Sequence, residues 1–313
     1  MSSGSCSAPA TATRTARSRK GSAPDRSRTG PHNTPAATVP SIPVKVQMRY
    51  NPDELFRSTA PYYAQYRSGY PHQFFDHLIR RFALNGSQQV LDLGTGTGQI
   101  ALPLAPHAAR VWAVDPEPSM LAEGRRTAAE RGITNIEWMA GDSYHLAKLD
   151  LPTLDLVTMG AAFHWMDRDA VLNDLDRRVA AGGGVVVVSG GTSSAQEPPW
   201  ARTITEIRTR YLGEARRAGS GTYTHPEEDH VDVLRRSAFS QVETVEWNWT
   251  VERDLDSVVG LQFSYSFSAP AQLGDEKRRA AFERDLRAAL TEQVPSAVFR
   301  EQIHTQAFIA VRS

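Results

Sequence analysis

The stretch "VLDLGTGTGQI", Val90 to Ile100, decides the fold. Val90 to Leu93 is an apolar run that reads as a buried strand, and a helix is expected from about Thr97. Between them stand Gly94, Gly96 and Gly98. Glycine accepts positive φ and has no Cβ, so such a turn lets backbone come close to a ligand. A phosphate-cradling P-loop would need a Lys after its last glycine, and none follows Gly98. A dinucleotide fingerprint would need a third glycine where Gln99 stands. An adenosine carrying an amino-acid tail needs neither.

The pattern repeats on both sides of this turn. Strands are predicted at 89–93, 110–114, 135–140 and 154–160, with a fifth in "GGGVVVVSGG" (residues 182–191). Helices are predicted at about 117–131 and 168–180. Near-continuous apolar strands alternating with amphipathic helices mean a parallel sheet covered on both faces, a doubly wound α/β core. Pro103 and Pro106 fall in the helix after the glycine loop, which is therefore expected to be short or kinked. Ahead of the core, two helical pieces break near Gly69–Pro71. After it, "VETVEWNWTVER" and "HTQAFIAVRS" read as strands that form an antiparallel edge. Helices between Trp200 and Ser237 read as an insertion above the sheet, and "DEKRRAAFERDLRAALTEQ" as a further helix. The chain divides into a tail at 1–48, lid helices at 49–85, a cofactor-binding core at 86–190, and cap plus last strands at 191–313.

Composition narrows the function. Residues 1–48 hold seven Lys/Arg against one acid, Asp25, with few large apolar side chains. Such a segment cannot offset its ordering entropy by burial and is expected to be disordered. The whole chain is neutral, so the body carries an acidic excess. Phosphate backbones need a basic face, so nucleic acid is not expected as partner. The longest apolar run of the core, Val185 to Val188, is too short to span a membrane. Cys6 is the single cysteine, which excludes an internal disulfide and a Cys-based zinc site; no metal is expected. A cytoplasmic location is expected.

Acidic residues mark successive strand ends. Asp92 lies inside the first strand, Asp115 ends the second, and Asp142 with Ser143 follows the third. Asp115 stands where a carboxylate accepts both hydroxyls of a ribose. Asp142 stands where an adenine edge would lie, and Met120 and Trp138 are candidates to sandwich the ring. On "VLDLGTGTGQ", "VWAVDPEPSML" and "MAGDSYHL", the chain resembles the class I S-adenosylmethionine-dependent methyltransferases. "YYAQYRSGYP" and "AAFHWMD" resemble the trans-aconitate methyltransferase-like group that acts on small molecules. The resemblance covers about residues 50–313. It implies a Rossmann-like, seven-stranded sheet, mostly parallel with its last strand antiparallel, and a helical lid and insertion over the substrate. It implies S-adenosyl-L-methionine as cofactor, with Asp92, Gly94, Thr95, Gly96, Gly98, Asp115, Pro116, Met120, Gly141, Asp142, Ser143 and Gly160 as candidate binding residues.

Methyl transfer from a sulfonium is an in-line displacement, so position and water exclusion carry most of the rate. His164, after the fourth strand, is the candidate base where an acceptor must lose a proton. Packing on Trp165 is its structural alternative. Tyr62, Tyr63, Tyr66 and Arg67 read as a lid over cofactor and substrate, with Trp165 and Phe263 as further walls. Aromatic faces attract a sulfonium, and Arg67 suits a carboxylate. The expected activity is methylation of O, N or a carboxylate on a small molecule, in bacterial natural-product biosynthesis. The rivals are a non-catalytic regulatory protein that binds S-adenosylmethionine or S-adenosylhomocysteine, and a dehydrogenase, which Gln99 disfavours.

Overall fold

The computed structural model describes residues 58–192, 197–215, 217–218, 221–222 and 228–313. The predicted tail at 1–48 and the first residues of the lid region lie outside them. The strands are β1 (Gln89–Leu93), β2 (Arg110–Asp115), β3 (Ile136–Ala140), β4 (Leu154–Gly160), β5 (Val179–Thr192), a short hairpin β6 (Arg217–Ala218) and β7 (Gly221–Thr222), β8 (Gln241–Arg253) and β9 (Phe299–Val311). Seven of them form one sheet in the order β3-β2-β1-β4-β5-β9-β8. The first five are parallel, and β9 runs antiparallel to both its neighbours. The order reverses between β1 and β4, which opens a crevice at the carboxyl ends of these strands. The two late strands form the expected antiparallel edge, and the last strand is antiparallel. The antiparallel strand β9 is interior, and the edge strand β8 points the same way as β5.

Side chains alternate between two apolar layers, as strand pleating requires. One layer sets Val90, Leu156, Val186 and Ile309 against α2 (His72–Arg81), through Phe74, Phe75 and Leu78. The other sets Leu91, Val157, Val185 and Val187 against α5 (Arg168–Asp176), through Val171, Leu172 and Leu175. The helix after the glycine loop, α3 (Ala101–Leu104), is one turn long and passes into a 3₁₀ turn at Ala105–His107. Pro103 and Pro106 explain this, because proline lacks the N–H that would continue the ladder. α4 (Pro118–Glu130) follows β2.

The cap has its own apolar core. α6 (Pro199–Leu212), α8 (Leu255–Phe263) and α10 (Glu276–Gln293) meet through Ile204, Ile207, Val258, Phe263, Phe282 and Leu286. α7 (His230–Arg235), expected in this insertion, is not part of that core. Its Val233 and Leu234 join the layer that holds α5. α8 is not among the helices expected from the sequence. Its six consecutive buried residues, Val258 to Phe263, blur any helical period. α9 (Pro270–Leu273) links the cap to α10. The lid helix α1 (Ala60–Tyr66) and α2 are separated at Gly69–Pro71, as predicted. Among the described residues no helix is long and apolar enough to cross a membrane.

Candidate active site

The glycine loop is fixed from beneath. Asp92 is fully buried, with Oδ1 accepting from the Thr158 hydroxyl (2.7 Å) and Oδ2 from the Thr95 hydroxyl (2.6 Å) and the Ala101 N–H (3.2 Å). Burial pushes its carboxyl above the usual range, and these three hydrogen bonds oppose that shift. Asp92 and Thr95 therefore brace the loop. The N–H groups of Gly94 and Thr95 both donate to the carbonyl of Val114 (2.8 and 3.0 Å), which ties the loop to β2.

Two of the glycines have separate physical reasons. Gly94 has φ +74°, and a Cβ there would stand 2.5 Å from the Cβ of Ala162, on the turn after β4. Gly98 has φ +83°, and a Cβ there would stand 2.6 Å from the indole of Trp138. Trp138 is thus wedged beneath the loop, where it also presses on Gly124 of α4, and belongs to an apolar layer of the sheet. It is not placed as an adenine wall. Gly98 serves helix–sheet packing, and Gly94 lets the loop pack against Ala162.

The expected rim residues come together at the ends of β2 and β3. Asp115 is 8 % exposed and accepts from the N–H groups of Gly96 (2.8 Å) and Glu117 (2.9 Å). Burial raises its pKa to about 6, against the pull of these two hydrogen bonds. Pro116 follows it, and Gly141 donates to the Asp115 carbonyl (3.1 Å). Asp142 caps the 3₁₀ turn at Ser143–Lys148, accepting from the N–H of His145 (2.9 Å). Ser143 is half-buried beside it. Met120, in the first turn of α4, is 2 % exposed.

Above the loop lie two cavities with a shared wall. The inner one, about 250 Å³, is lined by Asp92, Gly94, Thr95, Ile100 and Gly160. The outer one, about 580 Å³ with its open mouth included, is lined by Arg67, Ala161, Gly190, Arg253, Tyr265, Glu301 and Ile303, among others. Tyr63, Tyr70 and Gln99 line both. Burial pushes the Tyr70 phenol well above its ordinary pKa, so at neutral pH it is a hydrogen-bond donor and not a base.

Helical spacing divides the lid residues. Residues four apart share a helix face. Tyr62 and Tyr66 face the cap: Tyr62 packs on Phe263 (5.1 Å between centroids), and Tyr66 lies on Gly260, where a Cβ would come within 2.2 Å of the ring. Tyr63 and Arg67 face the cavities. Phe263 is corrected from a substrate wall to a core residue of the cap, 2 % exposed against Tyr62 and Phe282. His164 and Trp165 form a 3₁₀ turn after β4 with their rings 4.8 Å apart, and neither lines either cavity. The lid is held from below by Arg253, which pairs with Glu301 (3.2 Å), both under 10 % exposed, and donates to the Tyr66 carbonyl (2.9 Å) and the Ser68 hydroxyl.

Gln99, Arg253, Tyr265 and Glu301 were not among the expected site residues. Gln99 lies in the glycine loop already singled out, and Tyr265 lies two residues beyond Phe263. Arg253 and Glu301 carry no local signal, since only the β8–β9 pairing brings them to the cleft.

The residues present fit adenosine with an amino-acid tail. A buried carboxylate of raised pKa ends β2 and gains from hydroxyl donors, a glycine backbone faces Tyr63, and the loop holds no Lys or Arg for a phosphate. The family described as "Methyltransferase domain" matches residues 90–183. An uncharacterized methyltransferase of Mycobacterium tuberculosis is 28% identical over 223 residues, covering 70% of this chain and 80% of that protein. A 23S rRNA (uracil-C5) methyltransferase of Shewanella amazonensis is 31% identical over 94 residues, covering 27% of this chain and 21% of its own length. In fold, the chain is similar to a structure from Anaeromyxobacter dehalogenans solved as a candidate type II methyltransferase, with a TM-score of 0.50, 19% identity, and coverage of 79% of this chain and 97% of that one. Residues 90–183 therefore match a methyltransferase domain, and S-adenosylmethionine is the methyl donor that this match and the site support.

Proposed function

We propose that this methyltransferase acts on a small molecule, at an O, N or carboxylate acceptor, in the cytoplasm and in bacterial natural-product biosynthesis. The observation that carries the reading is the pair of cavities joined at Tyr63, Tyr70 and Gln99. One holds the glycine loop, and the other lies between lid and cap with room for a compact ligand. The acidic excess of the body supports the same reading.

When bound, the cofactor supplies a methyl already activated by its sulfonium charge. Asp115 accepts from the ribose hydroxyls, and Asp142 and Ser143 stand at the adenine end. Tyr63 covers the loop, its ring 3.9 Å from where a Cβ of Gly96 would stand. Tyr70 and Gln99 frame the passage between the cavities and orient the acceptor. Positioning of this kind is worth roughly 7–11 kcal/mol when the reacting atoms are aligned. Among the described residues no imidazole lines the outer cavity, and Glu301 there is tied to Arg253. Acceptors that need no protein base, such as a carboxylate or a neutral amine, suit these residues.

The test is incubation of the protein and labelled S-adenosylmethionine with a small-molecule extract, followed by mass spectrometry. A labelled product of low molecular mass, lost in Asp115→Ala, is expected. Label found only in RNA or protein would overturn the reading.

A further inference from the structure

Among the described residues Arg67 is a cation without a counter-charge. It lines the outer cavity, is half-buried, and among the described residues has no ion-pair partner. The other arginine of that cavity, Arg253, is matched by Glu301. A guanidinium withdrawn from water with no anion beside it is costly unless other groups compensate. Here two tyrosines do so in part. Its central carbon lies 4.1 Å from the ring centroid of Tyr265 and 4.9 Å from that of Tyr63, both within cation–π range.

The guanidinium is also held in one orientation. Nε donates to the Ser264 hydroxyl (2.9 Å), and Nη2 donates to the Ser264 carbonyl (3.3 Å). Ser264 is fully buried at the end of α8. Tyr265 is braced in turn: its ring stacks on Phe267 (5.1 Å, 14° between planes), and Phe267 meets Arg208 of α6. Ser264 occupies one edge of the fork. The other edge, Nη1 with the second N–H of Nη2, keeps two parallel donors, which is the geometry a carboxylate accepts.

We infer that Arg67 is a carboxylate-binding site, in which the clamped guanidinium receives a carboxylate of a bound small molecule across its Nη1–Nη2 edge. This rests on the proposed cofactor and acceptor cavities. Two sources share the chemistry: the amino-acid tail of the cofactor, and an acid group on the acceptor. A lysine would not serve as well, because an ammonium has no planar fork and no flat face for Tyr265.

The test is calorimetry on the full-length protein and on Arg67→Gln, with S-adenosylhomocysteine, its decarboxylated analogue, and benzoate and succinate titrated into the S-adenosylhomocysteine-loaded protein. If the cofactor tail is the source, Arg67→Gln weakens S-adenosylhomocysteine about 10- to 100-fold and leaves the decarboxylated analogue within about twofold. If the acceptor is the source, S-adenosylhomocysteine is unaffected, and the benzoate or succinate binding seen in the wild type is lost. The inference is overturned if no ligand loses affinity, or if S-adenosylhomocysteine and its decarboxylated analogue weaken equally. Should Arg67→Gln fail to fold, Arg67→Lys is read with the same titrations and the same selective loss, of smaller size. A wild type that binds no S-adenosylhomocysteine would instead sink the cofactor cavity itself.

Discussion

Lowering the pH from 7 to 5 should loosen the cofactor through Asp115. Its carboxylate is 8 % exposed and holds only two backbone N–H groups, from Gly96 and Glu117, so burial leaves its pKa at about 6. A ribose diol donates to the ionised form, and protonation competes with it. With a pKa near 6, about nine-tenths of the carboxylate is ionised at pH 7 and about one-tenth at pH 5, so the apparent affinity for S-adenosylhomocysteine falls about tenfold between them. The sign for stability is opposite to that of a salt-bridged acid. The folded pKa lies above the model value of 3.8, so the folded protein binds more protons than the unfolded chain between about pH 4 and 6. The contribution of Asp115 to stability is greatest below that window and falls as pH rises through it. Cofactor hydroxyls offset this loss, so the rise in melting temperature on adding S-adenosylhomocysteine is larger at pH 7.5 than at pH 5. Calorimetry across this range, repeated in buffers of different ionisation enthalpy, reads both the affinity and the released proton. A flat affinity from pH 5 to 8, with no proton released, would refute the assignment of Asp115.

Further outcomes are expected. Gly94→Ala places a Cβ 2.5 Å from Ala162 at φ +74°, so both melting temperature and S-adenosylhomocysteine affinity should fall in paired scanning and binding measurements. Arg253→Met removes the buried ion pair with Glu301 and should cost about 3–5 kcal/mol in denaturant titration, with the Arg253→Met/Glu301→Leu double variant less destabilised than the single. His164→Ala should keep turnover within about threefold, because a base that lined the cavity would be worth about 10²–10⁴-fold; a loss of that size in a steady-state assay would return the residue to the chemistry.

The sheet was legible because its signals are local. The apolar run of 90–93, the glycines after it, and acids at 115 and 142 each report a strand end without any tertiary knowledge. The prolines at 103 and 106 foretold the one-turn α3 in the same way. The candidate site could be read from the sequence where one segment carries it, as at the glycine loop and at Asp115. Trp138 was ambiguous because an indole near a glycine loop suits a ligand or a packing groove equally well. Only the joint shape of Gly98 and Gly124 decides for packing. Phe263 failed for a related reason: aromatic residues read alike in a cleft and in the core of a cap. Arg253 and Glu301 lie 48 residues apart and meet only through the β8–β9 register, so no spacing rule finds them. His164 shows the limit of placing a residue by its strand end, since the 3₁₀ turn of 163–165 sets its ring against Trp165.

The most direct measurement of the central claim is a calorimetric titration of the purified protein with S-adenosylhomocysteine and, separately, with NADH at pH 7.5. Glycines at 94 and 96, Gln99 in place of a third packing glycine, and Asp115 at the end of β2 predict saturable binding of S-adenosylhomocysteine, abolished in Asp115→Ala, and none of NADH. Binding of NADH with no response to S-adenosylhomocysteine would contradict the account.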